Sequence, residues 1–300
     1  MSTHVPAHAS AAPTAQAPAR TAVGTAPASS VPRPAGPRIQ GRQTFLRSVR
    51  AEWIKFWSLR STWITSFITI ALTVLFGAGL TAAFGQSEHY QDTAKNMITS
   101  GLTFGQVVVA VLGALIITGE YSSGQIRSSL TAIPHRGRLL LAKAVVLSVV
   151  AFLLGSVSVF LSWAISKPFI GEHAGSLTDS HYAGHIWGSG LVFAVIALMA
   201  LGLGFLLRST AGTITVIVSL LFIISTPLQI AASKWDWIYK IIGCLPSTVS
   251  EAVSDPFQRT TEWGGQGAQF LTHGQAIAVF AAWAIVPLLI AWFVFSRRDA

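Results

Sequence analysis

Charge is what this chain has least of. Asp, Glu, Lys and Arg together make up only 10% of its 300 residues, against about 25% in an ordinary soluble domain. That deficit excludes a soluble enzyme and a charge-rich disordered regulator. Cysteine is nearly missing as well. Cys244 stands alone, so no intrachain disulfide can form and no cysteine metal pattern exists. No Gly-Lys pair occurs anywhere, which removes the P-loop that cradles nucleotide phosphates on backbone amides. H-E-x-x-H and G-x-S-x-G are also absent, so the common zinc-protease and serine-hydrolase signatures are missing. The first 40 residues contain no Asp or Glu but hold seven of the thirteen Pro.

What is present is hydrophobicity, at 52% of residues with a mean hydropathy of +0.58. These values point to a multi-span membrane protein. Residues 1–42 form a Pro/Ala-rich tail with too little apolar surface to offset its ordering entropy, and are expected to be disordered. Residues 43–300 are expected to form one membrane domain. It opens with QTFLRSVRAEWIKFWSLR at 43–60. There Leu46, Val49, Trp53, Phe56 and Trp57 recur at spacings of three and four, with Arg47, Lys55 and Ser58 on the other side. This pattern predicts an amphipathic helix lying in the membrane interface.

Six apolar stretches follow, roughly Trp63–Phe84, Met97–Thr118, Ala144–Ser166, Ile186–Leu207, Gly212–Ala232 and Gly274–Ser296. Each has the length that crosses a hydrocarbon core about 30 Å thick. None contains an ionisable residue and none alternates, so the fold class is all-α and a barrel is excluded. Spans without a coupling acid or base argue against proton-driven transport. The long connection 233–273 holds an aromatic, amphiphilic stretch, expected to form one or two interfacial or re-entrant helices broken at Pro246 and Pro256.

The Lys/Arg asymmetry sets the orientation. With the N-terminus in the cytoplasm, the inner segments carry fifteen Lys and Arg and three acids, and the outer segments five and eight. Both termini are therefore expected inside. The sequence pI of 10.3 then reflects topology, and nucleic-acid binding is not expected. His173, His181 and His185 share an outer loop with Glu172 and Asp179. That loop reads either as a metal site or as a solvated His-containing connection. Gly101 and Gly105, and Gly184 and Gly188, are spaced for close helix approach. Gln106, Ser156, Ser162, Thr226 and Gln229 are polar candidates for a pathway.

The most informative segment is 119–143, GEYSSGQIRSSLTAIPHRGRLLLAK. Ile126, Leu130 and Ile133 fall on one face of a short helix with Arg127 beside them, and Pro134 ends it. Arg136, Arg138 and Lys143 are placed to anchor the third span at the phosphate level. A short amphipathic helix held along the membrane suits the docking of a soluble partner.

Glu120, Gly124-Gln125-Ile126-Arg127, Leu130, Pro134 and Ala142-Lys143 together resemble the loop after the second helix in ABC type-2 transporter permeases. The stretch from Glu52 to Trp63, the six spans and the long last outer loop with Leu245-Pro246 are similar to that family too. The likeness covers residues 45–298. It implies a membrane subunit of an ATP-binding-cassette exporter, working as a permease dimer in the plasma membrane. ATP would be bound by a separate cytosolic ATPase subunit, so this chain would be no enzyme and need no cofactor or metal. Glu120, Gly124, Arg127 and Pro134 would couple that ATPase to the spans, with Glu52 and Trp57 nearby. The cargo implied is hydrophobic or amphipathic. Two other readings stay open here: an ATP-independent carrier or channel, and a non-transporting membrane anchor or regulator.

Overall fold

A computed structural model describes residues 44–85, 97–171, 180–254 and 271–297. The tail, its boundary at 42, His173 and Pro256 lie outside the described residues. So does the side chain of His181. All regular structure among the described residues is helical. Helix α1 (Phe45–Ser58) precedes α2 (Arg60–Gly85), α3 (Leu102–Ser122), the short α4 (Gln125–Ala132), α5 (Arg136–Ile170) and α6 (Ser180–Leu207). The chain continues through α7 (Thr210–Val218), a π-helical turn (Ser219–Ile223), α8 (Ser225–Ala232), α9 (Trp237–Gly243), α10 (Pro246–Ser254) and α11 (His273–Arg297).

Among the described residues, six helical stretches are long and apolar enough to cross a membrane: α2, α3, α5, α6, the α7–α8 run and α11. Two of them differ from the sequence expectation. The second begins after a turn at 98–101 and runs on to Ser122, which puts Glu120 inside a helix. The third starts at Arg136 rather than near residue 144 and has 35 residues, which puts Lys143 inside it. The helices therefore do contain ionisable groups, and Lys143 is no phosphate-level anchor. It is 2% exposed.

The fourth span, α6, is the hub. It packs against α3, α5, α7, α10 and α11, and 67% of its most apolar window is buried. Small residues set these close approaches. A Cβ at Gly113 would strike the Ala197 carbonyl, and one at Gly155 the Ser189 carbonyl. Gly101 and Gly105 serve the same purpose between α3 and α2, since side chains there would run into Thr73. Gly188 lies against the Val253 carbonyl of α10.

The fifth span is interrupted. Pro227 has no N–H to give to the preceding turn, and just before it the Ile224 N–H reaches back five residues to the Ser219 carbonyl at 2.9 Å. This π-turn absorbs the mismatch within a continuous run. The break expected at Pro246 falls there, between α9, which ends at Gly243, and α10. Pro246 starts α10, where its missing N–H is of no consequence.

Helix α1 has 14 residues within the expected 43–60, and its apolar stripe is split between two environments. Ser48, Glu52 and Phe56 are the buried residues, packed toward α5 and α2. Leu46, Trp53 and Trp57 are exposed. Trp57 meets Trp53 and Trp63 at ring distances of 5.6 and 4.7 Å, and the Trp63 indole N–H donates to the Trp57 carbonyl at 3.0 Å. For a helix at a membrane interface this is the stable arrangement, with the aromatic belt outward and the polar face inward.

Candidate functional site

One end of the helix bundle gathers most of the described basic residues: Arg47, Arg50, Lys55, Arg60, Arg127, Arg136, Arg138, Lys143, Arg208 and Arg297. Two acids sit among them, Glu52 and Glu120. Both are buried, at 7% and 3% exposure. Burying a carboxylate is costly unless a cation and hydrogen bonds compensate it, and here both are present. Lys143 Nζ donates to Glu52 Oε2 at 2.8 Å and also to Glu120 Oε1. Lys55 Nζ donates to the same Glu120 oxygen and, at 3.2 Å, to the Ser129 hydroxyl. Ser129 donates in turn to Glu120 Oε2 at 3.1 Å. Two lysines and two glutamates make a neutral cluster.

The cluster draws on four helices. Glu52 and Lys55 come from α1, Glu120 from the end of α3, Ser129 from α4 and Lys143 from α5. Because Glu52 and Lys55 are three residues apart, they share one face of α1. The last turn of α3 and the first turns of α5 are brought to the same depth by the α3–α4–α5 hairpin. A shift of α4 must therefore disturb charges that α1, α3 and α5 all depend on.

Local sequence explains how α4 is held. Gly124 adopts φ 72°, ψ 2°, the left-handed conformation that glycine enters without Cβ strain. It ends α3 and turns the chain into α4, with its N–H donating to the Tyr121 carbonyl at 3.3 Å. Ile126 is the buried residue of α4, and Ile133 is buried just beyond it. Pro134 follows, and the residue before a proline is pushed out of helical geometry. Ile133 accordingly sits at φ −127°, ψ 86°. Arg127 is exposed on α4.

Neighbouring cations reinforce this end. Arg136 donates to the Phe295 carbonyl of α11 at 3.0 Å. Arg208 has φ 52° in the tight link before α7, and its guanidinium lies 4.9 Å from the Tyr121 ring centre. Thr118 and Thr210 share a hydrogen bond at 2.6 Å, tying α3 to α7.

Of the residues singled out by sequence, Glu52 and Glu120 meet in one cluster and Gly124 and Pro134 frame α4. Arg127 and Trp57 stand apart from the cluster, one exposed on α4 and the other in the tryptophan group. Lys143 was read as an anchor and Lys55 as a polar-face residue of α1, and neither these two nor Ser129 was read as a site residue. A lysine preceded by Leu139-Leu140-Leu141-Ala142 and followed by Ala144-Val145-Val146 is a signal for Lys143, because a cation so placed needs a partner in the same helix bundle.

The opposite end is built differently. A cavity of about 520 Å³ lies between the start of α3, the second half of the fifth span, α9 and α10. Gln106, Gln229, Tyr239, Ser247 and Glu251 are on its wall. Two pathway candidates, Gln106 and Gln229, thus share one space. Ser162 instead bonds to the Ser158 carbonyl at 3.0 Å within α5, and Ser156 and Thr226 are not on the cavity wall.

Helix α10 is fastened by two histidines. His185 Nδ1 lies 2.9 Å from the Ser254 carbonyl and His273 Nδ1 lies 3.1 Å from the Ala252 carbonyl. His185 is buried against α10, so the structure gives it a capping role in place of the loop position expected for it. No group of three or more metal-ligating side chains occurs among the described residues.

Fold and site together define a multi-pass α-helical membrane protein with a compensated ion cluster under a short amphipathic helix. The chain belongs to the ABC-2 family of transporter proteins, whose family model matches residues 48–227. Members are membrane subunits of ABC transporters that lack an ATPase site and pair with an ABC ATPase subunit. A search of the curated proteins finds no match to this chain. The matched region contains α1 from Ser48 onward and the whole ion cluster.

Proposed function

We propose that this protein is the permease subunit of an ATP-driven exporter, moving a hydrophobic or amphipathic compound outward across the plasma membrane. Two permeases pair, and each docks a separate cytosolic ATPase at its basic end, with both termini on that side. The Lys/Arg bias toward that end supports this orientation. ATP is bound by the partner, so this chain holds no cofactor and no metal.

The observation that carries the reading is the Lys143-centred cluster. The exposed face of α4, with Gln125, Arg127 and Ser128, is free to meet a partner. Its inner side is tied through Ser129 to Glu120, and through Glu120 to Lys55 and Lys143. ATPase closure displaces α4, the shared ion pairs transmit that displacement to α1, α3 and α5, and the spans change the side to which the pathway opens. Gly124 and Pro134 act as the two ends between which α4 moves as a rigid piece.

Affinity purification of the full chain in mild detergent, with mass spectrometry of the co-purifying subunits, tests this. A stoichiometric P-loop ATPase whose ATP turnover falls when Glu120 is changed to Lys supports the reading. A well-folded preparation with no such subunit, or turnover unaffected by that change, refutes it.

A further inference from the structure

The cavity at the end opposite the ion cluster combines three features that point to a ligand. Its volume of about 520 Å³ lies in the range of small-molecule sites, roughly 300–1,000 Å³. Gln106 is 7% exposed, and its Oε1 has no hydrogen-bond partner among the described residues. The buried Ser247 hydroxyl on the same wall is also without one. A buried acceptor left unpaired is costly, so this wall is incomplete until a donor reaches it.

The third feature is the exposed Glu251 carboxylate. The Glu251 side chain borders the open space of the cavity, and no ion pair to it occurs among the described residues. The protein around it still withdraws enough water to push its carboxyl up to about 7. Tyr239 is the other titratable residue on the wall. On the elements packed around α10, Lys240 belongs to α9, while His185 and His273 bond to the carbonyls at its C-terminal end. Phe222 and Tyr239 add aromatic surface, which attracts cations through the ring face.

We propose that this cavity binds an amphipathic organic cation bearing N–H donors, with Glu251 facing its charge, Gln106 and Ser247 accepting its N–H groups, and Phe222 and Tyr239 covering its apolar body. Identifying that ligand as the exported cargo rests on the export reading; the binding site itself does not.

The test uses the purified full chain in lipid nanodiscs and ethidium, a flat aromatic cation with two amino groups and a charge that does not titrate. Its uncharged diaminophenylphenanthridine counterpart is the control. Saturable ethidium binding is expected. Glu251→Gln is expected to weaken it by about tenfold, as loss of a charge-assisted contact does, while binding of the uncharged counterpart stays the same. Glu251→Asp keeps the charge and should retain most of the affinity, which separates charge loss from misfolding. Gln106→Leu should weaken both probes.

No saturable ethidium binding to the monodisperse wild type overturns the proposal. Equal ethidium affinity in wild type and Glu251→Gln does so too, as does equal weakening of charged and uncharged probes by that variant. None of these measurements needs the ATPase. Absence of an ATPase alongside Glu251-dependent binding would therefore refute export and keep the site, whereas an ATPase-coupled chain without ethidium binding would do the reverse.

Discussion

The two ends of this helix bundle treat their polar groups in opposite ways. At the basic end, Glu52 and Glu120 are each matched by a lysine, and Ser129 takes up a remaining lone pair. At the other end, exposed Glu251 has no ion pair among the described residues, and Gln106 Oε1 is unpaired there. A compensated cluster fixes helices relative to one another, because each member is costly to expose alone. An uncompensated wall is costly as it stands and improves when something enters. The first suits a mechanical joint and the second a binding surface.

Removing charge at the two ends should therefore have opposite consequences. Lys143→Met leaves two buried carboxylates with only Lys55 between them. We expect a loss of about 3–5 kcal/mol, the usual cost of breaking a buried pair, measured by SDS unfolding in mixed micelles. Adding Glu120→Gln to that variant should recover a substantial part of the loss. If the single variant were as stable as wild type, the cluster would not be the joint described.

Gly124→Ala places a Cβ at φ 72° and should cost about 1–2 kcal/mol. Gly124→Asn should cost less, because asparagine tolerates that conformation. Equal stability of all three forms would show that α4 is not held by this turn. Lys55→Gln should cost less than about 1 kcal/mol, since that side chain is 21% exposed and its pairing is screened. A loss matching that of Lys143→Met would show that the two lysines are equivalent, contrary to their burial.

Glu251→Leu should bring no loss of stability at neutral pH. Its carboxyl titrates near 7 in the fold against an ordinary value of 4.5. Between those values the folded chain keeps a proton that the unfolded chain has released. Stability contributed by this group is thus present below about pH 4.5 and is lost as pH rises through about 7. Glu251→Gln should flatten that part of the profile, and an unchanged slope would assign it elsewhere.

These contrasts also show how far sequence alone reaches. Hydropathy located the six spans, because a run of about 20 apolar residues has few other uses. Helix ends were less legible. The second span reaches Ser122 and the third starts at Arg136, since a helix can continue through charged residues once those charges are paired in the bundle. That is why Lys143 read as a snorkelling anchor. Its partners, Glu52 and Glu120, are distant in sequence, and no periodicity links them.

The interfacial placement expected for α1 agrees with its exposed Trp53 and Trp57, but its stripe is split, because Phe56 is buried. Amphipathicity gives the stripe but not the medium it meets. Near lipid, Trp53 and Trp57 turn outward, and the face of Ser48 and Glu52 turns toward the protein. The cavity could be anticipated only in part. Gln106 and Gln229 stood out as uncharged polar residues in apolar runs, whereas Glu251 became prominent only once α10 was folded back beside them.

The central claim is that α4 at the basic end is where the ATPase engages. A photo-crosslinking residue placed at Arg127, exposed on α4, tests it in the full complex, with one at Trp237, 61% exposed on α9, as the opposite-end comparison. The account predicts an adduct with the P-loop subunit from position 127 and none from position 237. An ATPase that co-purifies yet crosslinks only from position 237, or from neither, would contradict it.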